Sequence, residues 1–464
     1  MDDSVQVTVR AIETGVRSVR MRLPFRFGAA TLTVCPQLFV QAEVDVAGRG
    51  TAIGCAAELM VPKWFDKRPD FPPAANVQHL MQSVELARAA YTTDAPATPF
   101  GLFCRHYADI GTTAASAGLT ELSAAFGQAV IDRAVIDAVC RALEVSFFDG
   151  VRANIFGIGD TPLAADLHGW NWNAWLAQLR PLRRIDVRHT VGLLDEIETL
   201  HYADDGLPVS LPAVVERYGH RYFKIKLGGT PAKDLERLRS VLVVLSAHAG
   251  ETRYTLDANE QYADLDALRE LLRGLQDLAP PLYLEQPLPR ELSLAPALLS
   301  LHSPVPLLMD EADGTLDAFV HARECGWSGV SSKGCKGIYK SLLNRARCER
   351  WNREHGRSRY FMSAEDLTCQ AGVSLQQDLA LAALLGLTHS ERNGHHYGDG
   401  LVSAPAAERN AFLTAHPDLY DNAAHLRIRA GALHLDSLFN PGFAHGADPD
   451  FTALQPLASA AALL

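Results

Sequence analysis

Two lysines lie close together in an apolar stretch of the chain. Residues 223–228 read FKIKLG, so a single residue separates Lys224 from Lys226. Side chains alternate along a strand, so both ammonium groups face the same side. On an exposed edge strand such a pair would only discourage aggregation. In a buried site, burial and neighbouring positive charge would lower a lysine pKa from its usual value of about 10.4 and make the amine a usable base.

Three acidic residues end three successive apolar runs further along the chain. Asp257 follows YTL, Glu285 follows LYL and Asp310 follows PLLM. Each of them alone is most simply an exposed loop residue. If the three runs are neighbouring strands, the carboxylates meet at one edge, where they repel one another unless a cation lies among them. Ligands that are all oxygen favour Mg²⁺ over zinc or copper, with Mn²⁺ as an alternative ion.

The runs that carry these residues recur at regular intervals. The charged residues that mark successive runs, from Lys226 to Lys333, are 31, 28, 25 and 23 residues apart. Such intervals fit one strand, one helix and two loops per unit. Residues 185–193 would supply the first strand of the series, and residues 359–367 and 386–394 would supply the last two.

Repeated strand–helix units form either an open, doubly wound sheet or a closed barrel. A dinucleotide-binding open sheet needs a glycine fingerprint, and Gly228 and Gly229 lack both its third glycine and its acidic partner. In a barrel, the carboxyl ends of all strands surround one mouth, which is where the charged residues would lie. We therefore predict an α/β protein built on a closed barrel.

The N-terminal part has a different pattern. Residues 37–59 read as a β-hairpin, and residues 77–143 are predicted to be largely helical. Strands followed by helices are typical of an α+β domain. We predict an α+β domain over residues 1–155, the barrel over residues 156–400, and a C-terminal segment, 401–464, that returns to the first domain.

Composition argues against several classes of partner. The 464 residues include 43 basic and 54 acidic ones, a net charge of −11 without a long basic run, which argues against nucleic acid or an anionic membrane. No apolar run approaches the roughly 20 residues that span a bilayer. The eight cysteines lack CxxC spacing and the N-terminus lacks a signal sequence, so we expect reduced thiols and a cytoplasmic protein. We also expect a homo-oligomer.

Taken in order, the motifs resemble those of the enolase superfamily, and within it the muconate-lactonizing-enzyme branch. The resemblance rests on KIK at 224–226, DAN at 257–259, EQP at 285–287, DE at 310–311 and a lysine at 333. It implies a (β/α)7β-type modified TIM barrel with an N-terminal α+β capping domain. By the same resemblance, loops near residues 25–30 and 54–64 reach over the barrel mouth.

The resemblance also implies roles for individual residues. Mg²⁺ would be held by Asp257, Glu285 and Asp310. Lys226 and Lys333 would be acid/base catalysts on opposite faces of a small-molecule carboxylate, while Lys224 would tune Lys226 and help to bind the substrate. The implied enzyme is an isomerase or lyase that removes the α-proton to give a metal-stabilised enolate. Cycloisomerase, epimerase or racemase, and syn-dehydratase activities all fit.

Other residues are candidates for substrate contacts. Lys336 rivals Lys333 for the second catalytic position, because the run SKGCKG at 332–337 offers two lysines. Lys333 is preferred because it lies nearer the end of the apolar run. The full set of predicted substrate-binding residues is Asn259, Lys336, Arg26, Glu365 and His395.

A histidine-rich segment and two further functions remain open. His389, Glu391, His395 and His396 lack the helical i, i+4 spacing of a metal-binding pair, and we interpret them as part of a loop at the barrel rim. A barrel that keeps its metal ligands but performs no chemistry would act as a binding or scaffold protein. A lysine Schiff-base aldolase would use a similar barrel without a metal.

Overall fold

An antiparallel sheet and a layer of helices form the N-terminal part of the chain. The computed structural model describes residues 4–28, 30–93, 95–367 and 370–464. Three long strands pair in chain order, namely β1 (Val7–Phe27), β2 (Ala30–Val46) and β3 (Gly50–Leu59). The helices that follow are α1 (Pro73–Thr92), α2 (Pro99–Ser116), α3 (Glu121–Ala142), α4 (Phe147–Arg152) and α5 (Trp172–Gln178). The predicted α+β capping domain is confirmed.

Helix α3 is the centre of this part of the chain. Most of its residues are buried, because it packs against β2 and β3 on one side and α1 and α2 on another. The close approach to β3 requires a glycine, since a Cβ added to Gly54 would lie 2.1 Å from the backbone oxygen of Ala134. The carboxylate of Asp137 on α3 also accepts a hydrogen bond from the Cys55 backbone, at 2.8 Å.

Eight parallel strands close into a barrel. They are β4 (Arg184–Val191), β5 (Tyr222–Lys226), β6 (Arg253–Asp257), β7 (Leu284–Glu285), β8 (Leu307–Met309), β9 (Gly329–Ser332), β10 (Phe361–Ala364) and β11 (His389–Glu391). Each strand pairs with the next, and β11 pairs back to β4. The predicted barrel, including the positions of its first and last two strands, is confirmed.

The helices between the strands cover the outside of the barrel. They are α6 (Leu211–Tyr218), α7 (Pro231–His248), α8 (Leu265–Gly274), α9 (Arg290–Ser293), α10 (Ala318–Glu324), α11 (Ile338–His355) and α12 (Val373–Leu384). Helix α7 shows how an apolar stripe directs this packing, because Leu235, Leu238, Val241 and Leu245 recur at helical spacing and are all buried.

The C-terminal segment contacts both parts of the chain. After the short helix α13 (Gly394–Tyr397) and helix α14 (Ala406–Ala415), strand β12 (Ala432–His434) pairs with β4 of the barrel. Strand β13 (Gln455–Pro456) then pairs with β1 of the N-terminal sheet. The domain limits at residues 155 and 400 stay a prediction.

Two negative findings hold for the described ranges. Within them, no helix is both long and apolar enough to cross a membrane. The cysteines of these ranges are free thiols. Cys369, which was predicted to be reduced with the others, lies outside the described residues.

Candidate active site

The carboxyl ends of the barrel strands surround a small cavity covered by the N-terminal part of the chain. The lining residues of this cavity are Phe25, Phe27, Val61 and Trp64 from the capping part, and Lys224, Lys226, Asp257, Asn259, Lys333, Asp366, Leu367, Glu391 and Asn393 from the barrel. The barrel therefore supplies the charged groups, and the capping part supplies most of the apolar surface.

Lys224 lies at the centre of a cluster of carboxylates. Its Nζ atom lies 2.8–2.9 Å from an oxygen of each of four buried acids, Asp257, Glu285, Glu365 and Glu391. Burial opposes the charge on the ammonium group, but the four carboxylates outweigh it and hold the pKa of Lys224 well above its usual value. Lys224 is therefore a cation that balances acidic charge in the site.

Lys226 is oriented by two residues of the next strand and its loop. Its Nζ atom donates to Asp257 Oδ2 at 2.6 Å and to Asn259 Oδ1 at 2.8 Å. The ring of Phe25, from the capping part, lies 5.8 Å from the same nitrogen. Strand register explains the first contact, because Lys226 and Asp257 are paired residues of β5 and β6.

Lys333 and Lys336 both reach Asp310 but in different ways. Lys333 Nζ donates to Asp310 Oδ2 at 2.7 Å and lies 4.2 Å from the centre of the Trp64 ring. Lys336 Nζ donates to the backbone oxygen of Asp310 at 2.5 Å and to Ser331 Oγ at 2.7 Å. Lys333 lines the cavity, whereas Lys336 lies behind Asp310 in a short helical turn.

The charge on Lys333 is favoured by its partner. Burial would lower the pKa of this lysine, but the carboxylate of Asp310 outweighs burial and raises it above the usual value. Burial likewise disfavours ionised Asp310, and Lys333 and Lys336 together hold the pKa of that carboxyl well below its usual range. The pair is therefore ionised in this structure.

The three predicted metal ligands are fully buried at the ends of neighbouring strands. Asp257 ends β6, Glu285 ends β7 and Asp310 follows β8 directly, each with 0% of its surface exposed. Burial, together with the carboxylates of Asp257 and Glu365, raises the pKa of Glu285 well above its usual value. Negative charge is thus crowded at this point, and an all-oxygen set of three carboxylates fits Mg²⁺. These residues would hold the ion.

Capping-part residues close the mouth through charge as well as packing. Lys67 Nζ lies 2.6 Å from Glu260 Oε2, 2.9 Å from Glu311 Oε1 and 2.9 Å from the backbone oxygen of Asn259. Burial opposes its charge, but Glu311 and Glu260 raise the pKa of Lys67. This contact, which the sequence did not predict, ties the loop after Trp64 to the loop after β6.

Four predicted substrate-binding residues do not line the cavity, namely Arg26, Glu365, His395 and, as described above, Lys336. Arg26 is exposed, because strand alternation turns its neighbours Phe25 and Phe27 inward instead. Glu365 is buried beneath the cavity, where it pairs with Arg188 and accepts a hydrogen bond from Tyr283 at 2.8 Å. The structure thus brings neither Arg26 nor Glu365 to the cavity lining. Residue 29, part of the segment 25–30 that was predicted to reach over the mouth, lies outside the described residues.

His395 is the third of these residues. It lies on α13, outside the barrel wall, and its ring packs against His189 and His220. By contrast, the predicted residues Asn259 and Lys333 do line the cavity.

Glu391 is the main functional residue that sequence reasoning missed. It was interpreted as part of a rim loop, yet it is the last residue of β11 and contacts Lys224 at 2.8 Å. It also accepts a hydrogen bond from Asn393 Nδ2 at 2.9 Å. Burial opposes its charge, but Lys224, Lys226 and Lys333 hold its pKa well below the usual value. The available signal was its place at the end of the eighth apolar run.

Comparison with known proteins agrees with the fold and the motif order. Residues 209–415 match a family described as enolase C-terminal domain-like. No curated protein sequence matches the chain significantly.

Solved structures cover nearly the whole chain. A dipeptide epimerase from Enterococcus faecalis V583, complexed with Mg and the dipeptide L-Leu-L-Tyr, is 14% identical over 94% of this chain and 99% of its own, with a TM-score of 0.60. An enolase from Bradyrhizobium, complexed with magnesium and mandelic acid, is 16% identical over 97% of each chain, with a TM-score of 0.61.

A third structure, 2-chloromuconate cycloisomerase from Rhodococcus opacus 1CP, is 17% identical over 95% of this chain and 97% of its own, with a TM-score of 0.57. At these identities the structural likeness shows the fold. Together with the family match over residues 209–415, it confirms the predicted resemblance to the enolase superfamily.

Proposed function

We propose that the chain is a Mg²⁺-dependent enzyme that removes the α-proton of a small carboxylate substrate. One observation carries the proposal: Lys226 and Lys333 face one cavity from opposite sides of the barrel. Lys226 ends β5 and Lys333 follows β9, which are four strands apart in a closed barrel of eight. A substrate held between them would present one face of its α-carbon to each amine.

The neighbouring contacts fix the positions of the two lysines at the cavity. Asp257 and Asn259 orient Lys226, while Asp310 and the Trp64 ring hold Lys333. Bound Mg²⁺ would supply positive charge that stabilises the negative charge developing on the substrate carboxylate. Phe25, Phe27 and Trp64 exclude water from the cavity, which strengthens each electrostatic contact inside it.

The reaction type follows from how many lysines transfer a proton. In racemisation or epimerisation, the neutral amine of one lysine accepts the α-proton and the ammonium group of the other donates a proton to the opposite face. In cycloisomerisation or syn-elimination one lysine is sufficient, and the other remains a cation.

The bound ligands and the names of the structural neighbours support the proposal. The dipeptide epimerase and the Bradyrhizobium enolase were solved with magnesium and a carboxylate-bearing ligand. The structural likeness to 2-chloromuconate cycloisomerase supports the placement of this chain in the muconate-lactonizing-enzyme branch. We propose for this chain a cycloisomerase, epimerase or racemase, or syn-dehydratase activity of that branch, with Asp257, Glu285 and Asp310 as the metal ligands.

Exchange of the α-proton in D₂O tests the proposal. The wild-type chain would be incubated with Mg²⁺ and a panel of hydroxy acids, acid sugars, dipeptides and lactones, and deuterium incorporation would be followed by NMR. For a two-base enzyme, Lys226→Ala and Lys333→Ala should each retain exchange of one substrate enantiomer only, and of opposite hands. For each of the proposed reaction types, Lys333→Ala should abolish full turnover.

Comparing Lys336→Met with Lys333→Ala decides which of the two lysines has the second catalytic role. Normal turnover in Lys333→Ala combined with lost turnover in Lys336→Met would move the second catalytic role to Lys336. Covalent trapping of a carbonyl substrate by borohydride, in the presence of chelator, would instead indicate Schiff-base chemistry and overturn the proposal.

A further inference from the structure

Four buried histidines form a cluster on the outside of the barrel wall. The histidine cluster consists of His189 on β4, His220 just before β5, and His395 and His396 on α13. The side chain of His189 points away from the cavity, because its neighbours Arg188 and Thr190 point inward to Glu365 and Glu391. The cluster is therefore separate from the proposed active site. All four rings are at most 6% exposed.

The ring nitrogens have the spacing of a metal site. His189 Nδ1 lies 3.3 Å from His395 Nε2. One nitrogen from each of His189, His220 and His395 can be chosen so that all three lie within 4.8 Å of one another. A tetrahedral Zn²⁺ site with Zn–N bonds of about 2.0–2.1 Å has its nitrogens about 3.3–3.4 Å apart. The observed pair already has this separation.

Several nitrogens of the cluster lack good hydrogen bonds. Neither ring nitrogen of His220 makes one of good geometry, although the Val187 backbone lies near this ring, and Nδ1 of His395 and Nδ1 of His396 also lack one. Buried polar atoms are almost always paired, so several unpaired ones in a single cluster require a partner. A ligating histidine commonly donates its other N–H to a backbone oxygen, which is the role the Val187 carbonyl would have for His220.

Charge in the surroundings is compatible with a dication. Burial and the neighbouring imidazoles lower the pKa of His189 and of His395. Arg22 lies nearby and donates to the backbone oxygen of His396 at 3.1 Å, but its charge is balanced by Asp205 at 2.5 Å. Asp195 is close enough to His189 and His396 to form a second group of candidate ligands.

We infer that the histidine cluster binds a divalent transition metal, Zn²⁺ by the chemistry of its donors, through His189, His220 and His395. Imidazole ligands select zinc-like ions and disfavour Mg²⁺, so this site would not compete with the proposed Mg²⁺ site. His396 and Asp195 form a separate group with His189 and are not counted as ligands of this ion. Because the cluster is buried, the ion has a structural role.

The position of the cluster defines that role. His189 belongs to the first barrel strand, His220 precedes the second, and His395 follows the last strand by four residues. The ion would therefore join the elements on either side of the β4–β11 seam, where the barrel closes. Arg22 and the contact of Tyr397 with Phe25, whose ring centres are 4.4 Å apart, connect this seam to the capping part.

Metal content and cobalt substitution test the inference. The chain would be refolded with Zn²⁺ or Co²⁺ in excess Mg²⁺ and then freed of loosely bound metal. We expect about one Zn²⁺ per chain, a Co²⁺ derivative with the strong visible absorption of a tetrahedral site, and a higher melting temperature than for the metal-free chain. His220→Gln and His395→Gln should lose the ion. An Asp310→Asn chain should retain it, which separates this site from the proposed active site.

His416→Gln is the matched control. His416 is also fully buried, but its ring nitrogens are paired with Ser437 Oγ at 2.9 Å and with the backbone oxygen of His445 at 2.5 Å. This variant should keep the metal even if it is destabilised. A wild-type chain that retains no Zn²⁺ or Co²⁺ after refolding overturns the inference, as does unchanged binding in both cluster variants.

X-ray absorption at the zinc edge decides the result if the cluster variants fail to fold. The wild-type spectrum should show imidazole nitrogen neighbours at about 2.0–2.1 Å. A shell of oxygen atoms alone would assign the ion to the carboxylates of the barrel mouth and refute the histidine site. This readout requires no substrate, so it is independent of the proposed enzymatic function.

Discussion

Replacing Lys224 with methionine removes an ammonium group that contacts four buried carboxylates. Asp257, Glu285, Glu365 and Glu391 would each lose a partner at 2.8–2.9 Å. Breaking a buried ion pair by removing one partner costs about 3–5 kcal/mol. For a chain of 464 residues, about 1 kcal/mol changes the melting temperature by about 1 °C. We expect Lys224→Met to melt about 3–5 °C below the wild type in the absence of divalent ions.

Mg²⁺ should reverse much of this loss. Two of the four carboxylates, Asp257 and Glu285, are predicted metal ligands, so a bound ion would replace the missing positive charge. A ligand at 100 times its Kd stabilises the folded state by about 2.7 kcal/mol. Lys224→Met should gain more than the wild type, because removal of one unit charge about 4 Å from another changes their interaction by about 4 kcal/mol at an effective dielectric of 20.

The assay is thermal unfolding followed by circular dichroism, with a Mg²⁺ titration for each variant. Lys340→Met is the control, since Lys340 is also buried but its partner is Asp313, with Nζ 3.1 Å from Oδ1. Its response to Mg²⁺ should equal that of the wild type. The reasoning is refuted if Mg²⁺ stabilises neither the wild type nor Lys224→Met, or if the two methionine variants respond alike.

Three further predictions need no substrate. Burial raises the pKa of Asp132 to about 8, above its value in the unfolded chain. The stability that protonated Asp132 contributes at low pH is therefore lost as the pH rises toward 8. Between pH 5 and 7, the wild type should lose about 2.7 kcal/mol of unfolding free energy relative to Asp132→Asn, measured by denaturant unfolding. Gly54→Ala should lower the unfolding free energy by about 1–3 kcal/mol or more, because the added methyl group pushes α3 away from β3. Gly111→Ala, whose methyl group enters open space on α2, should raise it by about 0.5–1 kcal/mol in the same measurement. Lys67→Met should speed limited proteolysis of residues 62–72 relative to the wild type, because it removes the contacts with Glu260 and Glu311 that hold this loop to the barrel mouth.

The barrel could be predicted from sequence because its signal is local and repeated. Each apolar run ends in a charged residue, and the interval between runs fits one strand and one helix. This placed Lys226, Asp257 and Glu285 at strand ends, where the structure also has them. In a closed barrel of parallel strands, the carboxyl ends of all strands lie at the same mouth. The position of a residue at a strand end was therefore sufficient to locate its side chain.

Residues between the strand ends could not be placed in the same way. Arg26 was predicted to contact substrate because of its charge. The pairing of β1 with β2 is irregular between Arg20 and Phe25, and beyond that point strand alternation turns Phe25 and Phe27 inward. His395 was expected at the rim, but α13 carries it outside the wall. The surroundings of Lys224 depend on residues 33 to 167 positions away along the chain. Such contacts follow from barrel closure, and no local pattern encodes them.

The charges around the mouth indicate how metal and substrate binding depend on each other. Around Lys224 and Asp310, five buried basic side chains stand against five buried acidic ones, namely Arg188, Lys224, Lys226, Lys333 and Lys336 against Asp257, Glu285, Asp310, Glu365 and Glu391. Asp366, which also lines the cavity, is paired separately with Arg392 at 3.5 Å. A divalent ion alone would leave this region with excess positive charge, and a carboxylate substrate alone would leave it with excess negative charge. Each therefore lowers the electrostatic cost of binding the other, and thermodynamic linkage makes the effect equal in both directions. The paired lysines of the FKIKLG strand fit this arrangement: Lys224 balances the acids, which leaves Lys226 available to face the substrate.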